Sequence, residues 1–226
     1  KQMNNLANNL PILDLVIITD TSPSMKDEVG VLSSLVSDTI TSHLNNFSSD
    51  LRVVWLGIEG IFEGTNFNQT VRNYLARNCK VADSKFRARK REELKYFQAQ
   101  KDVARAIEDV CDYFDWRKNA FRAIFCFGDN ALEGGREKTE EENIEAADLA
   151  IVTAKITQVT VYSYCNTLKT KCAEDVKKQY ARIASETGGQ FFTDIDSIRG
   201  LSSALEKSVC DNSCMTVNKI KIESEV

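Results

Sequence analysis

Short apolar runs alternate with longer amphipathic stretches along nearly the whole chain. The runs are rich in branched and aromatic residues, which is typical of buried β-strands. The stretches between them carry apolar residues at three- and four-residue steps, which is typical of helices that pack by one face. The pattern predicts strands at residues 15–19, 51–58, 70–75, 122–127, 158–164 and 190–193.

The helical stretches contain three clear apolar stripes. Strands that are almost wholly apolar and separated by helices indicate a parallel sheet covered on both faces. We therefore expect an α/β fold with a doubly wound, mostly parallel sheet of about six strands flanked by helices. The less apolar run 70–75 suits an antiparallel edge strand. The stripes comprise Leu32, Leu35, Val36, Ile40 and Leu44; Val103, Ile107, Val110, Cys111 and Phe114; and Ile198, Leu201, Leu205 and Val209.

The chain of 226 residues reads as a single domain over residues 1–226, since no repeat or linker divides it. It begins with Lys1 and no signal-peptide pattern follows, so we expect a piece excised from a longer protein. Residues 76–99 contain a basic run and are predicted to form a solvated loop or insertion. Residues 212–226 are predicted to be a tail that leads out of the domain.

Composition excludes two classes of partner. The net charge of −4 provides no field that would attract nucleic acid, and the basic run lacks the interleaved aromatics of a nucleic-acid surface. No apolar run approaches the roughly 18 residues that span a bilayer, so we expect no membrane insertion. Oxidising and reducing compartments both stay open, with a secreted or cell-surface location favoured over the cytoplasm.

Seven cysteines are present, an odd number that leaves at least one thiol without an intramolecular partner. Cys111 and Cys126 lie in apolar stretches and are expected in the core. The chain has one histidine and no C-x-x-C, so the cysteines form no zinc pattern. Any disulfides are expected in the closely spaced pairs Cys165–Cys172 and Cys210–Cys214.

A cluster of oxygen-bearing side chains follows the first predicted strand. In "DLVIITDTSPSM" (residues 14–25) the apolar run leads into Asp20, Ser22 and Ser24 at alternate positions. Asp129, in "AIFCFGDNALEGG", follows another apolar strand. Because ligands of doubly wound sheets bind beyond the carboxyl ends of the strands, we expect these side chains to converge in one crevice.

Three interpretations of the cluster compete. A helix cap accounts for one of the residues but not for three at alternate positions. A phosphatase of the haloacid dehalogenase type would use Asp20 as nucleophile and Asp129 with Glu133 to hold magnesium, but Ser22 stands where its general acid belongs. A Ser–His pair would need His43, which is expected to be an ordinary surface or boundary residue in a helix.

The third interpretation, a metal site, uses every residue. Hydroxyl and carboxylate oxygens are hard ligands that suit Mg²⁺, Mn²⁺ or Ca²⁺. At this point the sequence resembles the von Willebrand factor A domain. The D-x-S-x-S motif of its metal-ion-dependent adhesion site matches Asp20, Ser22 and Ser24, and Asp129 matches its later acid. "ASETGGQFF" resembles the Gly-Gly approach of that family to the last strand.

The resemblance implies a binding module and not an enzyme. In that family the cation lies on the upper edge of the sheet and accepts a carboxylate from a partner protein, so a protein ligand with an acidic residue is expected. The family usually supplies a threonine from a loop that here reads "FQAQKDVARAI" and contains none. Asp102 is the nearest oxygen-bearing replacement and is expected to join the site, followed by Gln100.

Overall fold

A five-stranded parallel sheet with the strand order β2-β1-β3-β4-β5 forms the centre of the molecule. The computed structural model describes residues 10–46, 49–94, 98–129, 131–133, 140–165, 173–194, 196–208 and 210. The parallel sheet with its flanking helices confirms the expected α/β class. The strands are β1 (Ile12–Asp20), β2 (Asp50–Ile58), β3 (Phe121–Gly128), β4 (Val159–Cys165) and β5 (Phe191–Phe192).

Helices cover both faces of the sheet. Along β1, Leu15 and Ile17 contribute to the core beneath α1 and α6, while Val16 and Ile18 contribute to the core beneath α2 to α5. This alternation follows from the two-residue period of a strand. None of the described helices has both the length and the apolar character needed to cross a membrane. The helices are α1 (Lys26–Asn46), α2 (Val71–Asn78), α3 (Val103–Tyr113), α4 (Glu140–Thr157), α5 (Ala173–Glu186) and α6 (residues 201–208).

The strand predicted at residues 70–75 is wrong, because this segment forms the start of α2. The Thr70 hydroxyl accepts a hydrogen bond from the Asn73 backbone N–H at 3.1 Å and thereby caps the helix. Val71 and Leu75, one helical turn apart, are both buried. A single bridge between Gly57 and Thr70 is the contact with the sheet, so the described part of the chain has five strands and not six.

The expectation that His43 is a surface or boundary residue is also wrong. Its side chain is fully buried, since it continues the inward face of α1 beneath α6. Nε2 lies 3.2 Å from the Ser49 hydroxyl, and Nδ1 lies 3.7 Å from the Glu206 carboxylate.

The described part of the basic segment 76–99 packs along α3. The backbone N–H of Arg87 donates to the Asp109 carboxylate at 2.8 Å, and its guanidinium donates to Asp112 at 2.7 Å. Lys90 forms an ion pair with Asp83. These cations are therefore paired within the molecule. Residues 95–97 of the segment and the predicted tail 212–226 lie outside the described residues.

The described cysteines are free thiols. Cys111 and Cys126 are buried, as expected for core residues. Cys165 and Cys210 are likewise free thiols. Cys172 and Cys214, their predicted partners, lie outside the described residues.

Candidate metal centre

The sheet register brings Asp20 and Asp129 to the same edge. Strands β1 and β3 are parallel neighbours in which Thr19 is paired with Phe127. Asp20 follows directly after this pair, and Asp129 follows β3 by one residue. The predicted convergence of these two acids at the strand ends is therefore a property of the fold.

Each of the two carboxylates has a buried oxygen without a hydrogen-bond partner. Asp20 Oδ1 accepts a hydrogen bond from the Ser22 backbone N–H at 2.6 Å, but Oδ2 has no partner. Asp129 Oδ1 is likewise buried and unpartnered. Within the described residues, neither acid forms an ion pair with an arginine or lysine. Two buried acceptors of this kind are costly unless another group satisfies them.

The pKa of Asp20 shows that its ionised form is poorly stabilised in the folded protein. Burial raises its pKa from 3.8 to about 7, and the nearby charge of Asp129 adds to the rise. Hydrogen bonds from Ser22 and the charge of Lys101 act in the opposite direction and are too weak to cancel it. A cation next to both carboxylates would favour their ionised forms.

The two serine hydroxyls lie together on the turn after Asp20. Ser22 Oγ and Ser24 Oγ are 3.0 Å apart. Ser22 immediately precedes a short 3-10 helix, Pro23–Met25, yet its side chain makes no capping hydrogen bond. The helix-cap interpretation therefore does not explain the Ser22 hydroxyl, which is buried beside the carboxylate of Asp20.

The loop before α3 is clamped to this turn by Gln100. The Thr21 backbone N–H donates to the Gln100 carbonyl at 3.2 Å, and Gln100 Nε2 donates back to the Thr21 carbonyl at 3.0 Å. Because a carbonyl can only accept, the amide nitrogen must face Thr21. The amide oxygen Oε1 then remains buried without a partner. Gln100, the second of the two loop candidates, thus has an available oxygen next to the D-x-S-x-S turn.

Asp102, the first candidate, is used differently. Its carboxylate is fully buried and accepts from Arg89 Nη2 at 2.8 Å and from Arg89 Nε at 3.1 Å. Asp102 precedes α3 at its N-cap, but its side chain makes no capping bond. The geometry therefore assigns this carboxylate to an ion pair with Arg89, and the expectation that it replaces the loop threonine finds no support here.

Tyr180 also lies at this edge, and the sequence pattern does not reveal it. It is on α5, fully buried, and its hydroxyl has no hydrogen-bond partner. A tyrosine within an amphipathic helix is ordinarily a core residue, so no sequence signal separates it from its neighbours.

The donor set is rich in oxygen and poor in charge. No group of three or more His, Cys, Asp or Glu side chains among the described residues is arranged to hold a metal ion. The candidate donors near the ends of β1 and β3 are instead the carboxylates of Asp20 and Asp129, the hydroxyls of Ser22 and Ser24 and the amide oxygen of Gln100. These are hard ligands, so the residues fit Mg²⁺, Mn²⁺ or Ca²⁺ and not a soft metal.

No known protein family matches the sequence, and no curated protein matches it. Similar solved structures include an aerotolerance-related membrane protein from Bacteroides fragilis, with 14% identity and a TM-score of 0.47 over 88% of this chain and 99% of that chain. Proximal thread matrix protein 1 from the mussel byssus has 11% identity and a TM-score of 0.44 over 91% of this chain and 49% of that chain. A human COPII-coat protein has 12% identity and a TM-score of 0.43 over 90% of this chain and 33% of that chain. Similarities this low assign neither a family nor a function.

Proposed function

We propose that this domain is a metal-dependent protein-binding module that captures a carboxylate of its partner through a divalent cation. The observation that carries the proposal is the pair of unpartnered, buried carboxylate oxygens on Asp20 and Asp129, beside the hydroxyls of Ser22 and Ser24. Mg²⁺ is the proposed ion, with Mn²⁺ or Ca²⁺ as alternatives of the same ligand preference.

The resemblance to the von Willebrand factor A domain supports this proposal. The D-x-S-x-S turn follows β1, which lies between β2 and β3 in a parallel sheet, and Asp129 follows the adjacent β3. We therefore propose a von Willebrand factor A-like domain with a site of the metal-ion-dependent adhesion type. Gln100 is proposed to supply the loop oxygen in place of the missing threonine.

The charge of the site explains why a partner carboxylate would bind. Asp20 and Asp129 are the two acids proposed for the site, and the Asp102 carboxylate is paired with Arg89. Neutral hydroxyl and amide oxygens leave a directly bound ion much of its positive charge. An acidic side chain from outside can then complete the coordination shell. Ser24 is exposed, so the turn is accessible from solvent.

A selection experiment tests this function. A random peptide library is bound to the immobilised domain in Mg²⁺ and eluted with EDTA. The eluted peptides are expected to share an Asp or Glu whose replacement by Asn or Gln abolishes binding, and none should bind the Asp20→Ala domain. Failure of EDTA to elute any shared sequence, or equal binding of the eluted peptides to Asp20→Ala, would refute the capture mechanism.

The proposal assigns no catalytic activity to the domain. A dehalogenase-like phosphatase needs a general acid two residues after its nucleophile, and Ser22 cannot release or take up a proton at neutral pH. Turnover of a generic phosphomonoester by the wild type, stopped by Asp20→Asn, would replace the binding proposal with the enzymatic one.

A further inference from the structure

The Tyr180 hydroxyl is buried at the proposed site without a hydrogen-bond partner. Its residue is fully inaccessible to solvent. A buried hydroxyl without a partner destabilises a folded protein, and a phenylalanine in the same place would avoid that penalty. The chain uses phenylalanine at other fully buried positions, such as Phe125 and Phe192. The hydroxyl at position 180 therefore calls for an explanation other than core packing.

The fold holds this hydroxyl in a fixed place. The Tyr180 backbone carbonyl accepts a hydrogen bond of 2.8 Å from the Ser163 hydroxyl, which joins α5 to β4. At the other end of the side chain, Gly128 leaves room for the phenol oxygen. A Cβ at position 128 would lie 2.0 Å from that oxygen, closer than any real contact. The hydroxyl thus touches the backbone of the residue that precedes Asp129.

Three unpartnered polar atoms consequently lie near the carboxyl ends of β1 and β3. Asp20 Oδ2 and Asp129 Oδ1 can only accept hydrogen bonds when ionised, whereas the Tyr180 hydroxyl can donate or accept. The hydroxyl makes no direct hydrogen bond to either carboxylate. A small polar molecule between these groups would satisfy the hydroxyl and a carboxylate together.

We infer that Tyr180 is a positioning residue of the proposed metal centre, whose hydroxyl holds a water molecule that links Asp129 to the cation. This inference rests on the proposed function and adds a residue that the D-x-S-x-S motif does not contain. Groups that orient the ligands of a metal typically change its affinity by about 10- to 100-fold when they are removed. Tyr180 would act in this way from α5, a helix that contributes none of the proposed ligands.

Two single-atom variants test the inference. Tyr180→Phe removes the unpartnered hydroxyl. Tyr162→Phe is the matched control, because its hydroxyl is buried on β4 but bonded to the Ser208 hydroxyl at 2.8 Å. For the wild type and both variants, Mn²⁺ affinity is measured by calorimetry, and the urea midpoint is measured in EDTA.

Opposite results are expected for the two variants. Tyr180→Phe should bind Mn²⁺ about 10-fold more weakly than the wild type, with an equal or higher urea midpoint. Tyr162→Phe should lower the urea midpoint and leave Mn²⁺ affinity unchanged. Wild-type affinity in Tyr180→Phe, or the same loss in both variants, would overturn the inference and leave the proposed function standing. A wild type that binds no metal would overturn both.

Discussion

Arg89 and Asp102 form a two-point ion pair at the edge of the proposed metal centre. Nη2 and Nε of Arg89 lie 2.8 and 3.1 Å from the two carboxylate oxygens of Asp102, and the Arg89 backbone N–H donates to the same group at 3.2 Å. Asp102 is fully buried while Arg89 is partly exposed. The pair joins the basic segment to the N-terminus of α3. Both carboxylate oxygens of Asp102 are thereby bonded to Arg89.

This ion pair predicts that Asp102→Asn affects stability more than metal binding. Removing one partner of a buried pair is strongly destabilising, and partial exposure of Arg89 reduces the effect to about 2–3 kcal/mol. Metal affinity should change by less than about threefold, since the carboxylate is not proposed as a ligand. Urea unfolding in EDTA and calorimetry with Mn²⁺ measure the two quantities. Loss of metal binding at unchanged stability would instead place Asp102 in the coordination shell.

The amide oxygen of Gln100 is predicted to contribute to metal affinity. Gln100→Met keeps the length of the side chain and removes the oxygen, so binding of Mn²⁺ should weaken about 10-fold. The variant also loses the hydrogen bond to the Thr21 carbonyl, which should lower stability by about 1 kcal/mol. Gln179→Met is the matched control, because Gln179 is equally buried and its amide oxygen is also unpartnered. Equal affinities in the wild type and both variants would exclude the Gln100 oxygen from the site.

The raised pKa of Asp20 predicts how stability depends on pH in the absence of metal. The carboxyl has a pKa of about 7 in the folded protein and 3.8 as the reference value, so between these values the folded state binds the extra proton. Stability in EDTA should therefore fall as pH rises from about 4 to about 7 and then level off. Asp20→Asn should remove this dependence and be more stable than the wild type at pH 8. Urea unfolding at pH 5 and pH 8 provides the measurement, and a flat wild-type profile relative to the variant would contradict the assignment.

Mg²⁺ should oppose this effect, because a cation favours the ionised carboxylate. The increase in thermal stability on adding Mg²⁺ is expected to be larger at pH 8 than at pH 5. A gain that is independent of pH, or that persists in Asp20→Asn, would place the stabilising ion elsewhere on the molecule.

His43 predicts an opposite pH dependence beneath α6. Burial lowers its pKa below 6.5, although Glu206 and the Ser202 backbone act to raise it. As pH falls below about 6.5, the unfolded chain takes up a proton before the folded protein does, so this residue should reduce stability. The difference in unfolding free energy between the wild type and His43→Gln should shrink between pH 7.5 and pH 5. A constant difference would show that the pKa of His43 is the same in the folded and unfolded states.

The parts of this structure that follow from sequence are those with a regular period. Apolar runs separated by amphipathic stretches imply a parallel sheet, and parallel strands end at one edge, which brings Asp20 and Asp129 together. The composition of segment 70–75 predicts a strand because threonine, valine and tyrosine are enriched in strands. The capping hydrogen bond of Thr70 and the burial of Leu75 stabilise a helix there instead.

No periodic pattern of apolar residues predicts the contacts of Gln100 and Tyr180. Gln100 bonds to Thr21, which is 79 residues away in the chain, and its amide orientation depends on a backbone carbonyl. Tyr180 is distinguished from a core phenylalanine only by an oxygen packed against Gly128. The loop sequence ranks Asp102 ahead of Gln100, and it does not reveal that Arg89 forms an ion pair with Asp102. Contacts of this kind are set by the folded packing and have no local signature.

Calorimetric titration with Mg²⁺ and Mn²⁺ tests the central claim most directly. The proteins to compare are the wild type, Asp20→Ala and the control Asp27→Asn, which removes an exposed acid in the first turn of α1. The wild type and Asp27→Asn are predicted to bind one ion with equal affinity, and Asp20→Ala is predicted to bind none. Equal binding by the wild type and Asp20→Ala would contradict a metal centre at the end of β1.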